Sequence, residues 1–304
     1  IIEQRKVELQ AVDWRLDKDI PYGNNHLSNQ IENYVSSKIY LITVQFDENE
    51  YLDKQNRQSY IEEAELAKYD IENLENTQKK DSAKGILEDV FSNYELLIIV
   101  VIVMIAGVMV SEEFNKGTIK LLLVRPYSRN KILLAKFVTS MLMILVTVVF
   151  IIGVQFITGG IVYGFDSYGI PVSAYDFNNE TVVTMNVFVY LIIITLTKIP
   201  IYILIATLSF ALSTLCNNSP VAIALPLLGY MGSSMINMLA VQYELNWLKF
   251  FVTPNWDLTQ YLFGKLPMFE NSTLLFSIVV CLIYMVIMLI PTFIVFKKKN
   301  IKNI

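Results

Sequence analysis

The chain has 304 residues, of which 54% are hydrophobic, with a mean hydropathy of +0.46 and a formal net charge of −4. This hydropathy is high for a soluble protein, and several apolar runs reach the ~20 residues that a helix needs to cross a bilayer. The composition therefore excludes an ordinary soluble domain, and nothing in the charge balance indicates nucleic-acid binding. We expect an all-α polytopic membrane protein. A disulfide is not expected, because Cys216 falls in a predicted loop and Cys281 in a predicted span.

The N-terminal region, residues 1–94, is polar and contains no spanning run. Apolar residues at helical spacing predict helices from Ile2 to Ile20 and from Asp53 onward, so this region is expected to be a mostly helical domain. Ile39 to Phe46 is the one strand-like run, although a short helix is also possible there. His26 is the only histidine of the chain, and we expect it at the surface rather than in a metal site.

Five apolar runs predict five membrane spans, at about 95–110, 132–157, 185–213, 220–241 and 273–296. The loop after the first span and the tail Lys297 to Lys302 are basic, and short basic loops lie on the cytoplasmic side. Both assignments agree if the first span runs from the outside of the membrane to the cytoplasmic side. Residues 1–94 are then extracytoplasmic and the C-terminus cytoplasmic. Frequent Ile, Asn and Lys are typical of an AT-rich bacterial genome, so the expected location is the bacterial cell membrane.

The loop from Ser111 to Lys136 is the most informative stretch. Its cations are Lys116, Lys120, Arg125, Arg129, Lys131 and Lys136. Glu112 and Glu113 stand where a helix would begin, and Pro126 would end it. The pattern predicts a short amphipathic helix along the membrane surface, at about 113–124. Two functions remain open at this point: the helix is offered to a cytoplasmic protein, or it only rests on the lipid headgroups.

A longer pattern in this loop favours the first function. It reads E-x-x-x-G-T-x-K-x-L-L-x-x-P-x-S-R-x-x-I-x-x-x-K and consists of Glu113, Gly117, Thr118, Lys120, Leu122, Leu123, Pro126, Ser128, Arg129, Ile132 and Lys136. The pattern resembles the permease subunits of type 2 ATP-binding-cassette transporters, in which this loop is the coupling helix that docks on the ATPase. The resemblance implies docking contacts from Glu113, Lys116, Gly117, Thr118, Lys120, Leu122, Arg125 and Arg129. Gly117 would allow a close approach.

The resemblance also implies an architecture and partners. The expected fold is an exporter-like helical bundle in which the external domain follows a first span. Because the family usually has six spans, that first span is expected to be missing from this chain. ATP and magnesium would bind to a separate cytoplasmic ATPase, so this chain needs no cofactor of its own. A second permease chain, identical or related, would complete the path through the lipid bilayer.

Two further regions are candidates for contact with cargo. TPNWDLTQYLFG is similar to the family's outer re-entrant helices, expected here at about 245–270 with Trp247, Trp256 and Tyr261; an ordinary interfacial loop is the alternative. Lys198 lies within the third apolar run, where a charge costs ~2.5–3.5 kcal/mol and is usually buried in protein or lines a cavity. It is a candidate residue of the substrate path. The alternative is a lysine that snorkels at a kink made by Pro200.

Catalytic motifs are missing. The chain has no G-x-x-x-x-G-K-[ST] loop and no H-E-x-x-H zinc pair, and a single histidine rules out a Ser/His/Asp set. Glu112 and Glu113 resemble the glutamate pair of intramembrane proteases, but the later histidines of those enzymes are absent. We therefore expect no enzymatic activity. The expected function is the permease of an exporter for an amphipathic compound such as an antimicrobial peptide. The alternative is a membrane receptor whose external domain binds a ligand and whose basic loop recruits a cytoplasmic protein.

Overall fold

A computed structural model describes residues 2–23, 25–47, 50–119 and 128–299, and these residues are mostly helical. The α-helices are α1 (Ile2–Asp17), α2 (His26–Thr43), α3 (Tyr51–Asn73), α4 (Ala83–Glu88), α5 (Val90–Val108), α6 (Ser111–Asn115), α7 (Arg129–Tyr163), α8 (Val187–Cys216), α9 (Ser219–Gln242) and α10 (Leu274–Lys298). The remaining elements are the strands β1 (Val172–Asp176) and β2 (Thr181–Met185) and the 3₁₀ helices Phe165–Gly169, Asn246–Phe250 and Leu258–Gly264.

The chain forms two compact units. The N-terminal unit consists of Ile1–Asp89, Gln155–Ile194 and Gln260–Asn271. The helical unit consists of Val90–Val154, Thr195–Thr259 and Ser272–Ile304.

Among the described residues, five helices, α5 and α7 to α10, are long and apolar enough to cross a membrane. Their number and order agree with the five predicted spans. Three of them contain an internal proline, namely α8 (Pro200), α9 (Pro226) and α10 (Pro291). The longest, α7, has 35 residues. At a rise of ~1.5 Å per residue it is about 50 Å long, well beyond the ~30 Å of a hydrocarbon core. Part of α7 therefore tilts or extends past the bilayer.

The core of the N-terminal unit lies between α1, α2 and α3. Its buried members are Ala11, Trp14, Ile20, Ile31, Tyr34, Ala64, Ala67 and Ile71. The rings of Trp14 and Tyr34 meet edge to face with centroids 4.8 Å apart. On α3, Ala64, Ala67 and Ile71 recur every three or four residues, so one stripe of that helix faces the core. The small alanine side chains let α2 and α3 pack closely.

Of the two possibilities for Ile39 to Phe46, the strand is wrong and the helix is confirmed as far as Thr43, where α2 ends. Tyr40 stacks on Tyr60 of α3 with ring centroids 4.1 Å apart. Ser37, which lies one turn earlier and is buried, donates to Glu63 of α3 at 2.8 Å. Packing against α3 therefore makes this segment helical, because tertiary contacts easily override the β propensity of a short segment.

The two described strands of the N-terminal unit form instead between α7 and α8. β1 and β2 pair antiparallel, with Val172 opposite Met185 and Asp176 opposite Thr181. Asp176 closes the turn by accepting from the amide of Asn178 at 3.0 Å and from the side chain of Asn179 at 2.6 Å. These hydrogen bonds lower the pKa of Asp176.

Asp70 is the buried acceptor that joins α3 to the following loop and to α2. Its carboxylate accepts from the amides of Thr77 at 3.2 Å and Gln78 at 3.0 Å, and also from the Thr77 hydroxyl. Its Oδ2 lies 2.8 Å from Nε2 of His26, whose side chain is only 13% exposed. The expectation of a surface histidine is therefore wrong. The Thr77 hydroxyl also lies 2.6 Å from that of Ser173 on β1, so the network reaches the hairpin.

Candidate functional site

The Ser111–Lys136 loop begins at a buried serine contact between helix ends. The amide of Ser111 donates to the Ser213 hydroxyl at 2.9 Å, and the Ser111 hydroxyl lies 2.7 Å from that of Ser219. Ser111 and Ser213 are both fully buried. The end of α5 is thereby held against the end of α8 and the start of α9.

Small residues make this contact possible. A Cβ added at Gly107 of α5 would lie 2.9 Å from both Cγ1 of Ile223 and Oγ of Ser209. The Ser209 hydroxyl, which can donate one hydrogen bond, lies 3.0 Å from the carbonyl oxygen of Val103 and 2.8 Å from that of Ala222. Glycine and serine at such positions let membrane helices approach closely and add hydrogen bonds between them. The helices that frame the loop thus form a tightly joined group.

An ion pair crosses from the start of the loop to its end. Nζ of Lys136 on α7 lies 2.5 Å from Oε1 of Glu113 on α6 and donates to the carbonyl of Met109 at 2.8 Å. The two side chains are 15% and 23% exposed. Since both are largely withdrawn from solvent, Glu113 serves first as an internal bridge between α6 and α7. This differs from the direct docking contact that the sequence pattern implies.

The C-terminal end of α10 is fixed to the same place. Arg129 donates to the carbonyl of Lys299 at 2.8 Å and to that of Lys297 at 3.3 Å. Nζ of Lys299 donates to the carbonyl of Thr214 at 2.8 Å and to the side chain of Asn217 at 2.6 Å. Burial lowers the pKa of the Lys299 ammonium. Together with the Glu113–Lys136 pair and the serine contact, these bonds make up what we term the loop base.

Beyond this base the described part of the loop has a buried side, with Phe114 and Ile119, and an exposed side. Lys116 and Glu112 form a pair at 2.6 Å with side chains 66% and 49% exposed, and Thr118 is exposed as well. Gly117 has φ of +70°, a conformation that favours glycine, and nothing lies within 4 Å of an added Cβ. The predicted contact residues Lys120, Leu122 and Arg125 lie outside the described residues, as do residues 120–124 of the predicted 113–124 helix. In the described part of that prediction, α6 ends at Asn115 and a turn follows at 116–118.

A second group of charges surrounds Lys198, inside the helical unit. Its Nζ lies 3.0 and 3.1 Å from the two carboxylate oxygens of Glu95 on α5 and 2.7 Å from Oδ2 of Asp257. The Lys198 side chain is 11% exposed and that of Glu95 16%. Lys198 therefore makes a contact between α8, α5 and the segment before Leu258–Gly264. We call Glu95, Lys198 and Asp257 the charge cluster.

Two tyrosines and one tryptophan lie beside the charge cluster. Tyr230 of α9 hydrogen-bonds to Glu95, and its ring centroid is 6.2 Å from that of Trp256. Tyr202 of α8 is fully buried, and its hydroxyl has no hydrogen-bond partner. Of these charged and aromatic residues, Lys198 and Trp256 were candidates from the sequence, and Glu95 and Asp257 were not. The signal that could have found Glu95 is that a cation inside a span requires an anionic partner, and Glu95 is a carboxylate at the start of another span.

The aromatic residues of the 245–270 segment fall into different environments. Trp247 is 58% exposed and packs edge to face on Phe251, whereas Trp256 is 8% exposed and Tyr261 is partly buried. The segment contains two short helices, both of the 3₁₀ type, at Asn246–Phe250 and Leu258–Gly264, where two short re-entrant helices were expected. Asn255 shapes the first part of the segment, donating to the carbonyl of Phe251 at 2.6 Å. Among the described residues, no group of three or more His, Cys, Asp or Glu could hold a metal ion.

These five apolar helices, with an ion cluster and polar contacts between them, define a multi-pass α-helical membrane protein. The chain belongs to the family described as "Protein of unknown function (DUF2705)", whose sequence profile matches residues 25–302. It is 31% identical over 214 residues to the uncharacterized protein YhcI of Bacillus subtilis (strain 168), covering 70% of this chain and 67% of that protein. It is 29% identical over 204 residues to the uncharacterized membrane protein YdbK of the same organism, covering 66% of this chain and 76% of that protein. No solved structure matches the chain.

Proposed function

We propose that this chain is the membrane-spanning permease subunit of a type 2 ATP-binding-cassette exporter, with the ATPase on a separate cytoplasmic subunit. The observation that carries the proposal is the form of the Ser111–Lys136 loop. Its exposed turn holds Lys116, Gly117 and Thr118, while the loop base bonds the loop to α7, to the α8–α9 turn and to the end of α10. A movement of the turn, caused by a partner bound there, would be transmitted to several spans at once.

The docking residues divide into two groups in this proposal. Lys116, Gly117 and Thr118 contact the ATPase together with Lys120, Leu122 and Arg125. Glu113 and Arg129 instead hold the loop base, so they transmit movement rather than bind the partner. When ATP binding closes the ATPase pair, the loops move and the spans follow as rigid bodies, a rearrangement between two packed states.

Cargo and remaining partners follow from the same proposal. A second permease chain lines the path at the interface between the two. An amphipathic cargo such as an antimicrobial peptide suits the exposed rings of Trp247, Phe250 and Phe251, which would bind apolar side chains at the membrane surface. Residues 1–94 would lie outside the cytoplasm and the C-terminus inside, in the bacterial cell membrane.

Co-purification with an ATPase tests this proposal. Each candidate ATPase is expressed beside the chain, and the complex is purified in detergent. Lys116→Glu reverses an exposed charge and is expected to release the ATPase without a change in melting temperature. Lys136→Met breaks the loop base, so it should leave the ATPase bound but uncouple its hydrolysis from transport. Lys6→Glu, an exposed charge reversal on α1, is the matched control and should leave binding intact.

Two results would contradict the permease proposal. One is a failure of every ATPase to bind the wild-type chain. The other is equal binding by wild type and Lys116→Glu together with normal coupling in Lys136→Met, since the loop would then have no part in the contact.

A receptor is the second candidate, and one observation favours it. The N-terminal unit has a cavity of about 190 Å³, lined by Phe46, Asp47, Lys54, Arg57, Gln58, Ile61 and Leu266. Its apolar lining residues, together with two cations, Lys54 and Arg57, against the one carboxylate of Asp47, would suit a small amphipathic anion. An aliphatic carboxylate that raises the melting temperature of wild type but not of Arg57→Ala, in a chain that binds no ATPase, would support the receptor.

A further inference from the structure

Helix α1 is apolar on two opposite faces. On one face, Ala11 and Trp14 are buried in the core between α1, α2 and α3. The opposite face carries four large apolar side chains that are 42% to 75% exposed in the described part of the chain, namely Ile2, Leu9, Val12 and Leu16. A helix that is apolar all round is normally buried on every side. The exposed face, which we call the α1 seam, therefore indicates a surface for a partner.

The spacing of the α1 seam favours another helix as the partner. Ile2, Leu9 and Leu16 follow one another at intervals of seven residues, and Val12 comes three residues after Leu9. These are the a and d positions of a coiled-coil heptad, at which one helix packs along another. Arg5 occupies the remaining d position within α1. Its apolar stem can lie along a seam while the guanidinium stays in water.

The exposed charges of α1 argue against a lipid surface as the partner. A helix that lies on a membrane typically has Lys and Arg on its polar face, because many headgroups are anionic. The exposed charged residues of α1 are instead four carboxylates and two cations, namely Glu3, Glu8, Asp13, Asp17, Arg5 and Lys6. Anionic headgroups would repel this excess of negative charge.

The charges that border the α1 seam fit a second copy of the same helix in the antiparallel direction. Lys6 and Asp13 are both exposed and lie on the same side of the seam, at the e positions of the heptad. In an antiparallel pair the e positions of the two helices meet, so Lys6 of each copy faces the partner's Asp13. A parallel pair would place Glu8, at a g position, beside the partner's Asp13. Two repulsive contacts would result.

We propose that the α1 seam is a self-association surface, on which two copies of this chain pair antiparallel with Leu9 of each copy against the partner's Val12. The inference rests on the proposed function, since the two permease chains of that proposal bring the α1 helices together. The 16 residues of α1 extend over only about 24 Å, too little to bury the ~1,200–2,000 Å² of a stable interface. The α1 contact therefore adds to a contact elsewhere in the dimer.

Disulfide cross-linking in membranes tests the pairing. Two copies with different affinity tags are co-expressed in a Cys216→Ser, Cys281→Ser background, one with Leu9→Cys and the other with Val12→Cys. Mild oxidation should join the two tags, because these positions face each other. Leu16→Cys in both copies reports the direction. In the antiparallel pair the two sites lie about 16 Å apart along the helices, too far for a disulfide. A parallel pair would place them side by side.

Charge reversal tests whether the partner is a second copy. Lys6→Glu in both copies turns two attractive contacts into two repulsive ones, so it should lower the Leu9–Val12 cross-link by about fivefold. Adding Asp13→Lys to both copies restores the attraction and should recover the cross-link. Glu3→Cys is the matched control, because Glu3 is exposed on α1 but points away from the seam, and it should give no cross-link.

The outcomes separate this inference from the proposed function. A cross-link through Leu16→Cys, or one through Glu3→Cys as strong as that between positions 9 and 12, would overturn the antiparallel pairing. So would the absence of any cross-link between copies whose tags co-purify, and the two-chain permease would then stand without the α1 contact. Tags that do not co-purify would overturn both. The substituted seam and flanking positions are exposed, so the melting temperature of each variant should stay close to that of wild type.

Discussion

Tyr51 shows how one hydroxyl fixes a segment distant in sequence. This residue opens α3 and donates to the carbonyl of Pro267 at 2.8 Å, and Gln55, one turn later, donates to the same oxygen at 2.5 Å. The amide of Leu266 in turn donates to Gln58 at 2.8 Å. Burial raises the pKa of Tyr51 to about 12, with a further contribution from the charge of Glu270. The folded N-terminal unit therefore favours the protonated phenol.

This pKa predicts an alkaline loss of stability. A group whose folded pKa exceeds its unfolded value of about 10 stabilises the fold fully below pH 10. That contribution disappears as the pH rises toward 12. Wild type should therefore lose melting temperature over this window. Tyr51→Phe should start lower, by about 1 kcal/mol for the lost hydrogen bond, and lose less.

Circular dichroism at stepped pH measures both curves. Tyr22→Phe serves as control, because Tyr22 is 78% exposed and should follow wild type. Parallel curves for wild type and Tyr51→Phe would contradict the assignment.

At the scale of elements, the Asp70 network holds the end of α3, the start of α2 and the hairpin together. Asp70→Ala would leave the amides of Thr77 and Gln78 and the ring of His26 without their acceptor. Each buried donor left unpaired costs ~1–3 kcal/mol, so a loss of about 3 kcal/mol in the free energy of unfolding is expected. Urea unfolding of the purified chain, read by tryptophan fluorescence, measures it.

The same experiment has two comparisons. Asp70→Asn keeps one acceptor oxygen and should lose less stability. Glu72→Ala removes an exposed carboxylate whose pair with Lys68 spans 4.0 Å, so it should change little. An Asp70→Ala chain as stable as Glu72→Ala would show that the network is not holding these elements.

Sequence patterns predicted the spans well and the small elements badly, for a physical reason. An apolar run of 20 residues has one stable form in a bilayer, a helix, so composition alone placed α5 and α7 to α10. Segment 39–46 and the β1–β2 hairpin depend on partners far along the chain, such as Tyr60 for Tyr40 and Thr77 for Ser173. Likewise Lys198 could be singled out from its span, but Asp257, 59 residues away, could not.

For the whole molecule, the orientation in the membrane is the central prediction. The positive-inside tendency predicts a cytoplasmic Ser111–Lys136 loop, and the number of spans between then predicts that the α8–α9 turn, which has no Lys or Arg of its own, is cytoplasmic too. Cys216 at that turn is exposed, whereas Cys281 in α10 is buried. Labelling of Cys216 therefore shows on which side of the membrane the turn lies. A membrane-impermeant maleimide should label wild type in inverted vesicles and not in right-side-out ones. Cys216→Ser should abolish the labelling.

A cysteine introduced on the other side completes this measurement. Tyr22 is exposed in the N-terminal unit, and Tyr22→Cys in a Cys216→Ser background should be labelled only in right-side-out vesicles. Labelling of Cys216 from outside would reverse the orientation. It would also remove the basis for placing an ATPase at the Ser111–Lys136 loop.

The bonds from Arg129 and Lys299 give the carboxyl end of α10 a mechanical role. Arg129 donates hydrogen bonds to the backbone carbonyls of Lys297 and Lys299, and the ammonium group of Lys299 donates to a carbonyl beside the α8–α9 turn. A domain fused to the tail, whether a purification tag or a fluorescent protein, would therefore put mechanical strain on the hydrogen bonds of Arg129, the first residue of α7. Fused tags and fluorescent proteins are therefore better attached at the N-terminal unit. A natural modification of the tail would affect the Ser111–Lys136 loop through the same hydrogen bonds.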